Sequence, residues 1–481
     1  MAHAKPRRHR PRGTELGPKP RKTGWLLTIG LAVVLIGCGF VVRRVMLSPK
    51  PNVVLIVIDT MRADAAGSYG NPRRPTPRLD AIAATGVRFT QAISTSGWTL
   101  PAIGSLLTGA WPTIHGGLGQ NTVLTPLREE LPTAAQVLKE HGFNTLGFAN
   151  AAFVSPMLGF DRGFDVFDHR HAFNWEIRRA DETINDALAH LREHRSEANF
   201  IFIHLFDPHL DYDPPPGYGT KYTDGRMDPP PPLTLQKCQA LQTNEGEDPP
   251  QPVDIAYVRA VYDAEINFTD WAVGRLVDEL QQLGIYDDTT LIVTADHGEE
   301  FWEHGGFEHG HTLYDELIRV PLILKPSVHV APVRRVVESQ VRLIDVMPTV
   351  FDLLDIEPPP SFVGQSLMPL VMGETDADRV AFSESTLYGG YLVARRGERY
   401  KYIVDIAPGS QVPPELYDWR ADPGETNNLL AALPDVAAQM RAELSGFYNE
   451  MALRAKTMSQ PELKDMSPQT IESLKSLGYI R

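Results

Sequence analysis

Val53, Val54, Leu55, Ile56, Val57 and Ile58 form an unbroken apolar run that stops at Asp59. Leu291, Ile292 and Val293 form a second run, set among the β-branched Thr289, Thr290 and Thr294 and leading to Asp296-His297. Runs without alternation suit strands buried on both faces, as in a parallel sheet covered by helices. Phe143–Phe148 and Phe200–Phe206 read as further strands, the second ending at Asp207. Other stretches carry the helical period. Leu131-Pro132-Thr133 opens a helix, with Thr133 as N-cap, Gln136 three residues later, and Gly142 as stop. Val258, Val261, Tyr262, Ile266, Ala272, Leu276, Leu280 and Leu283 predict a long helix over Tyr257–Leu283. Asp345–Leu354 predicts a shorter helix, with Pro348 tolerable only in its first turn. Ala381–Ile406 alternates enough for short strands, and Leu429–Met451 predicts a closing helix. No repeat of solenoid length is apparent.

Trp25–Val42 breaks this pattern: its apolar stretch of about 18 residues is just long enough to cross a bilayer. Lys5, Arg7, Arg8, Arg10, Arg12, Lys19, Arg21 and Lys22 precede it, opposed only by Glu15. The more basic flank stays in the cytoplasm, so residues 1–24 read as a cytoplasmic tail and 25–42 as a transmembrane helix or signal anchor. The expected location is a bacterial-type cell membrane, single-pass, with the large domain extracytoplasmic. Leu35-Ile36-Gly37-Cys38 also fits a lipoprotein processing box, which would anchor the chain at Cys38 instead. The rest divides into a large domain over 51–375, a smaller subdomain over 376–451 and a peripheral tail over 452–481. Within the first lies a Pro-rich insertion, 213–252.

Charge agrees with export. The chain carries a formal net charge of −14 although its first fifty residues are strongly basic, so the remainder is more acidic still. Such a domain binds nucleic acid poorly, and an anionic substrate needs local positive charge. Cys38 and Cys238 are the two cysteines, which excludes a disulfide framework.

The candidate chemistry lies where strands end. Ligands of parallel sheets bind beyond the carboxyl ends of the strands, and Asp59, Asp296 and His297 all fall there. Thr99 precedes a Pro and an apolar run bounded by Gly97 and Gly109, the sequence of a turn that presents a nucleophile at a helix N-terminus. Together these residues read as a metal site.

Pro51-Asn52-Val53 through Asp59-Thr60-Met61-Arg62-Ala63-Asp64, then Thr76-Pro77-Arg78-Leu79-Asp80, resemble the opening of a sulfatase. Leu107-Thr108-Gly109, Asp207-Pro208-His209, Asp296-His297-Gly298-Glu299-Glu300 and Asp422-Pro423-Gly424-Glu425 continue the resemblance over roughly residues 51–430. It implies the α/β fold of the alkaline phosphatase superfamily: a mixed central sheet between helices, with a small C-terminal sheet and helix. The departures carry chemistry. Sulfatases place Cys or Ser two residues before a Pro and four before an Arg, and oxidise it to formylglycine. Here the segment is Thr99-Leu100-Pro101-Ala102-Ile103. Thr cannot yield an aldehyde, because its Cβ already bears a methyl group, and Ile103 replaces the Arg. Asp59, Asp296 and His297 would instead hold one divalent cation, with Thr99 as fourth ligand and metal-activated nucleophile.

Similarity casts His209 as the histidine that contacts the substrate oxyanion or protonates the leaving group. His304, His309 and His311 lie in a glycine-rich loop and could bind a second metal or supply positive charge; His311 is nearest the position where sulfatases often place a Lys and is the expected oxyanion contact. His115 is open to a site or a structural role. The two-zinc pattern of alkaline phosphatase, an Asp with a His four residues on, is not met, since Asp211 follows Asp207. His297 stands where typical sulfatases have Asn, and Thr60 where many have a second carboxylate. Both changes move preference toward manganese or zinc, with calcium and magnesium remaining open.

The expected function is therefore hydrolysis or transfer of a sulfate or phosphate ester, with phosphoryl chemistry favoured. A phosphothreonine can be attacked at phosphorus, whereas a sulfothreonine has no easy exit. The expected partners are such an ester, of a lipid head group or glycan, and the membrane, but no nucleic acid. A true sulfatase using unmodified Thr99, or a silent glycan-binding homologue, are the rival readings.

Overall fold

In the computed structural model, which describes Met1 and residues 51–120, 123–170, 178–219, 221–223, 252–388 and 390–461, eight strands form one sheet. In chain order they are β1 (Asn52–Ile58), β2 (Val87–Ile93), β3 (Asn144–Phe148), β4 (Val166–Asp168), β5 (Asn199–Leu205), β6 (Thr289–Ala295), β7 (Arg319–Lys325) and β8 (Val336–Arg342). Across the sheet the order is β8-β2-β7-β6-β1-β5-β3-β4. β7 runs antiparallel to both β2 and β6, and the other pairings are parallel. The sheet is thus mixed.

Every residue of β1, β5 and β6 is buried, which requires cover on both faces. The cover comes from α1 (Pro77–Thr85) and α4 (Ala180–Glu193), which both pack on α5 (Pro252–Gln282), and from α2 (Thr99–Thr108), α3 (Ala134–Glu140) and α6 (Val346–Leu353), which form a second group. α3 begins as its sequence predicts. Thr133 Oγ1 accepts from Gln136 N at 3.2 Å, Gln136 Oε1 accepts from Thr133 N at 2.9 Å, and Gly142 follows the helix at φ +79°. Pro348 is the third residue of α6, where its missing amide is harmless.

Register fixes where the strand ends emerge. Ile58 pairs with Leu205 on one side and Ala295 on the other, so Asp59, Phe206 and Asp296 leave the sheet side by side.

A second, antiparallel sheet follows: β9 (Ala381–Ser385), β10 (Leu392–Arg396), β11 (Tyr400–Asp405) and β12 (Glu415–Asp418). Val393, Tyr402 and Leu416 on its face pack against Ala437, Met440, Leu444 and Tyr448 of α7 (Pro434–Lys456). That helix starts later than the pattern predicts. Leu429 N bonds back to Leu416 O at 2.7 Å, holding the preceding turn to β12, and Pro434 sets the first helical residue.

The basic segment, the apolar span 25–42 with Cys38, most of the insertion 213–252, and residues 462–481 lie outside the described residues. Among the described residues no helix is long and apolar enough to cross a membrane.

A buried ion cluster ties the two sheets together. Asp315, just before β7, receives Arg396 Nη2 at 2.7 Å and Lys401 Nζ at 2.9 Å, and Lys401 also pairs with Glu425 at 2.9 Å. Burial raises the Asp315 carboxyl, but Arg396 and Lys401 outweigh it and hold it well below the usual range. Removing one partner of a buried pair strands the other charges, so Asp315→Asn should cost about 3 kcal/mol of unfolding free energy at pH 7, read from urea melts. Equal midpoints would contradict this. A carboxyl depressed on folding contributes stability above its unfolded value near ~3.9, lost as pH falls toward the folded value, so the wild-type advantage should shrink below about pH 4.

Candidate active site

Thr99 is the first residue of α2 and is 1% exposed. Trp98 before it is extended, at φ −158° and ψ 162°, so the chain turns sharply into the helix. Pro101 stands in the first turn, where amides have no intrahelical partner and the helix dipole favours an anion. Ile103, Leu106 and Leu107 face the core and fix the helix from within.

The segment leading to Thr99 is clamped between the ends of both sheets. Ser94 Oγ donates to Asp296 O at 2.5 Å, and Ser96 Oγ donates to Glu384 O at 2.6 Å. Ser383 Oγ donates to Ser94 O at 2.6 Å, and Glu384 N to Thr95 O at 2.9 Å. β9 therefore braces the loop that carries Thr99. His115 braces the helix instead of entering the site. Its Nδ1 accepts from Gly117 N at 3.0 Å, so its Nε2 carries the proton and donates to Pro101 O at 3.1 Å. A Cβ on Gly104 would meet the His115 ring at 2.6 Å, which explains the glycine, and burial lowers the His115 pKa to about 3.

Four side chains converge on Thr99. Its Oγ1 lies 3.2 Å from His297 Nε2. The same nitrogen is 3.5 Å from Asp59 Oδ1 and 3.5 Å from Asp296 Oδ2. His204, one residue before the end of β5, brings Nε2 to 3.6 Å from Asp59 Oδ2 and 4.0 Å from Asp296 Oδ2. All four are fully buried. His297 Nδ1 is 2.9 Å from Gly298 O and so carries the proton, which turns the Nε2 lone pair toward the carboxylates. Asp296 Oδ1 accepts from His297 N at 2.8 Å and Thr60 N at 3.3 Å, leaving Oδ2 for the cluster. Thr60 adopts φ +54°, a strained conformation for a β-branched residue, and Tyr262 OH donates to its carbonyl at 2.7 Å.

The charges do not balance without a further group. Both Asp59 oxygens, Asp296 Oδ2 and both His204 nitrogens lack a hydrogen-bond partner among the described residues. Burial, then the charges of Asp296 and Glu299, push Asp59 well up. Burial also raises Asp296, but His297 and His204 outweigh it and its carboxyl is lowered. Orphaned buried carboxylates facing imidazole lone pairs fit a divalent cation, which Asp59, His204, Asp296, His297 and Thr99 would hold.

A line of imidazoles leads outward. The His309 ring is 4.5 Å from that of His297, and His209 is 5.0 Å from His309. His309 Nδ1 is 3.0 Å from Glu299 Oε1, whose other oxygen accepts from Tyr212 OH at 2.9 Å. His209 stacks on Phe206 at 4.3 Å, with Nδ1 2.6 Å from Leu210 O. Burial, then the neighbouring histidines, lower both His209 and His309 well below the ordinary range. His311 turns elsewhere: its Nε2 meets Glu300 Oε2 at 3.0 Å, and that carboxylate raises its pKa against the effect of burial. His304 is likewise paired, with Glu316 at 2.5 Å. Thus His309 lies beside His297, while His311, expected as an oxyanion contact, is held by Glu300.

Sequence reasoning brought Asp59, Thr99, Asp296, His297 and His209 together but missed His204 and the placement of His309. The signal for His204 is a lone imidazole inside the apolar run Phe200–Phe206, level with Val57 of β1.

Comparison with known proteins agrees with this fold. The sulfatase family model matches residues 51–356, and the N-sulphoglucosamine sulphohydrolase C-terminal model matches 302–450. The chain belongs to the sulfatase family. The ulvan-active sulfatase of Formosa agariphila is 27% identical over 416 residues, covering 79% of this chain and 77% of that protein. The Delta 4,5-hexuronate-2-O-sulfatase of Bacteroides thetaiotaomicron is 24% identical over 412 residues, covering 79% and 84%. The phosphonate monoester hydrolase of Agrobacterium radiobacter shares the fold, with a TM-score of 0.68 at 22% identity over 83% of this chain and 96% of that one.

If His204 is a ligand as well as His297, either His204→Ala or His297→Ala should weaken divalent-ion binding by at least about tenfold, since even groups behind metal ligands are worth that much. Titration calorimetry with manganese and zinc reads this directly. Unchanged affinity in His204→Ala would remove it from the donor set.

Proposed function

We propose that this protein is a metal-dependent hydrolase or transferase of anionic esters, with Thr99 as nucleophile and phosphoryl transfer as its favoured chemistry. The observation that carries the reading is the 3.2 Å contact of Thr99 Oγ1 with His297 Nε2 at the head of α2, beside two buried carboxylates. A divalent ion bound there supplies charge that lowers the pKa of the alcohol and screens the approaching anion. Manganese or zinc suits the donors better than calcium or magnesium, because His297 and His204 bring nitrogen into the set.

Thr99 attacks phosphorus, forming the Oγ1–P bond as the ester P–O bond breaks. The first-turn amides of α2 favour the negative charge. Water or an acceptor alcohol then attacks the phosphothreonine and restores Thr99. His309 is the better-supported proton carrier: its ring lies 4.5 Å from that of His297, Glu299 Oε1 holds its Nδ1 at 3.0 Å, and burial keeps it neutral and able to take the Thr99 proton and return it to the leaving oxygen. His209 lies next in line, toward the organic group. The substrate class is a phosphate or sulfate ester of a lipid head group or glycan. A second reading, sulfate-ester hydrolysis by unmodified Thr99, is favoured by relatives named as sulfatases. Against it stand the Thr at position 99 and the apolar, wholly buried Ile103.

We also propose that the chain is tethered to the cell membrane by 25–42 with its catalytic unit outside the cytoplasm, a reading supported by the apolar run and its basic flank. Fractionation should find the full-length protein in membranes and open to protease from the outer side. A soluble cytoplasmic pool would contradict the tether.

Thr99→Ala should reduce turnover by at least about a thousandfold while leaving metal content near wild type. Equal activity of the two proteins would remove Thr99 as nucleophile. Metal-loaded protein should cleave 4-nitrophenyl phosphodiesters faster than 4-nitrophenyl sulfate, and the reverse ranking would establish the second reading.

A further inference from the structure

A cavity of about 230 Å³ opens on the far side of His209, between the end of β5 and α5. Asp207 and Glu265 form its inner wall and are only 8% and 4% exposed. Asp207 Oδ2 and Glu265 Oε2 are buried without a hydrogen-bond partner among the described residues. The remaining polar atoms nearby are engaged. Glu265 Oε1 accepts from Asp213 N at 2.7 Å. Thr269 Oγ1 donates to the backbone carbonyls of Asp207 and Glu265, at 3.2 and 3.0 Å, and so joins the two elements. Arg179, the cation among the lining residues, pairs with Asp213 Oδ2 at 3.2 Å and donates to Asp213 O at 3.0 Å. Asp211 and Asp213 add two more carboxylates at the mouth.

We infer that this cavity is a specificity pocket for a protonated amine on the organic group of the ester, received by Asp207 and Glu265. This rests on the ester reading given above, because His209 forms both the cavity wall and the outer end of the imidazole line, 5.0 Å from His309. An ammonium carries three donors and one positive charge, which answers two unpaired carboxylate oxygens. Phe206 offers an apolar wall for the carbon chain and a ring that favours a cation. A metal ion fits less well. Asp59, His204 and Asp296 place three ligand atoms within 4.8 Å of one another, and no such group of three includes Asp207 or Glu265 among the described residues. Burial pushes Asp207 up to about 6, and burial with the Asp207 charge pushes Glu265 up as well, which is the state of two buried acids lacking their cation.

The test is calorimetric binding to the full-length, manganese-loaded Thr99→Ala protein, so that turnover does not enter. The probes are 2-aminoethyl 4-nitrophenyl phosphate and its equal-length neutral analogue, propyl 4-nitrophenyl phosphate. The amine ester should bind at least about tenfold tighter, the ratio one charge-assisted hydrogen bond supports. Adding Glu265→Gln, or separately Asp207→Asn, should abolish that preference while the propyl ester stays within about twofold. Equal binding of the two esters, no binding of either, or a preference that survives both substitutions overturns the inference. If a variant does not fold by circular dichroism, the comparison of the two esters on the Thr99→Ala protein decides. An amine preference in binding, with no nitrophenolate released by the wild-type enzyme, would sink the proposed reaction and leave the pocket standing.

Discussion

Two carboxylates, Asp59 and Asp296, are buried side by side at the ends of neighbouring parallel strands with no hydrogen-bond donor among the described residues for three of their four oxygens. A buried unpaired carboxylate costs several kcal/mol, and two together repel as well. Packing cannot offset that, so the arrangement favours a proton on Asp59 or a compensating positive charge. The surroundings hold the carboxylates in place and do not relieve them. β1 and β6 share a continuous register from Asn52 to Ile58, Thr60 takes a strained backbone conformation, and Tyr262 of α5 clasps its carbonyl. His204 and His297 close the ring with nitrogen donors.

The position of Thr99 depends on the same constraint from a different direction. Thr99 reaches the cluster because Ser94 is bonded to the Asp296 carbonyl on one side and to Ser383 on the other. The small C-terminal sheet is thus part of the active-site scaffold. Its attachment runs through the buried Asp315–Arg396–Lys401 group, on the chain that also carries His309 and Glu299. Helix, strand ends and the second sheet meet at one alcohol.

Much of this is legible in the sequence, for physical reasons. Strands buried on both faces leave unbroken apolar runs, so β1, β5 and β6 are plain, as are the Thr133 capping box and the long α5. β7 is hidden because Pro321 sits inside it, at a register irregularity between Val320 and Leu322 where the lost amide is tolerated. β2 is partly exposed and carries Arg88 and Gln91, so its run is broken. In the site, Asp59, Thr99, Asp296 and His297 stand at element ends marked by composition. His204 becomes a ligand candidate only through strand register. The choice between His309 and His311 depends on loop conformation: Glu300 captures His311, and Glu299 orients His309. Neither pairing has a one-dimensional signature.

The proposed reaction makes an unmodified threonine, Thr99, reactive beside a metal-ready cluster. Rapid acid quench of the metal-loaded enzyme turning over a 4-nitrophenyl phosphodiester, followed by peptide mass spectrometry, tests it most directly. The account predicts a phosphoryl adduct on Thr99, within the peptide that spans Gly97–Gly109. Turnover with no adduct there, or with the adduct on another residue, would contradict it.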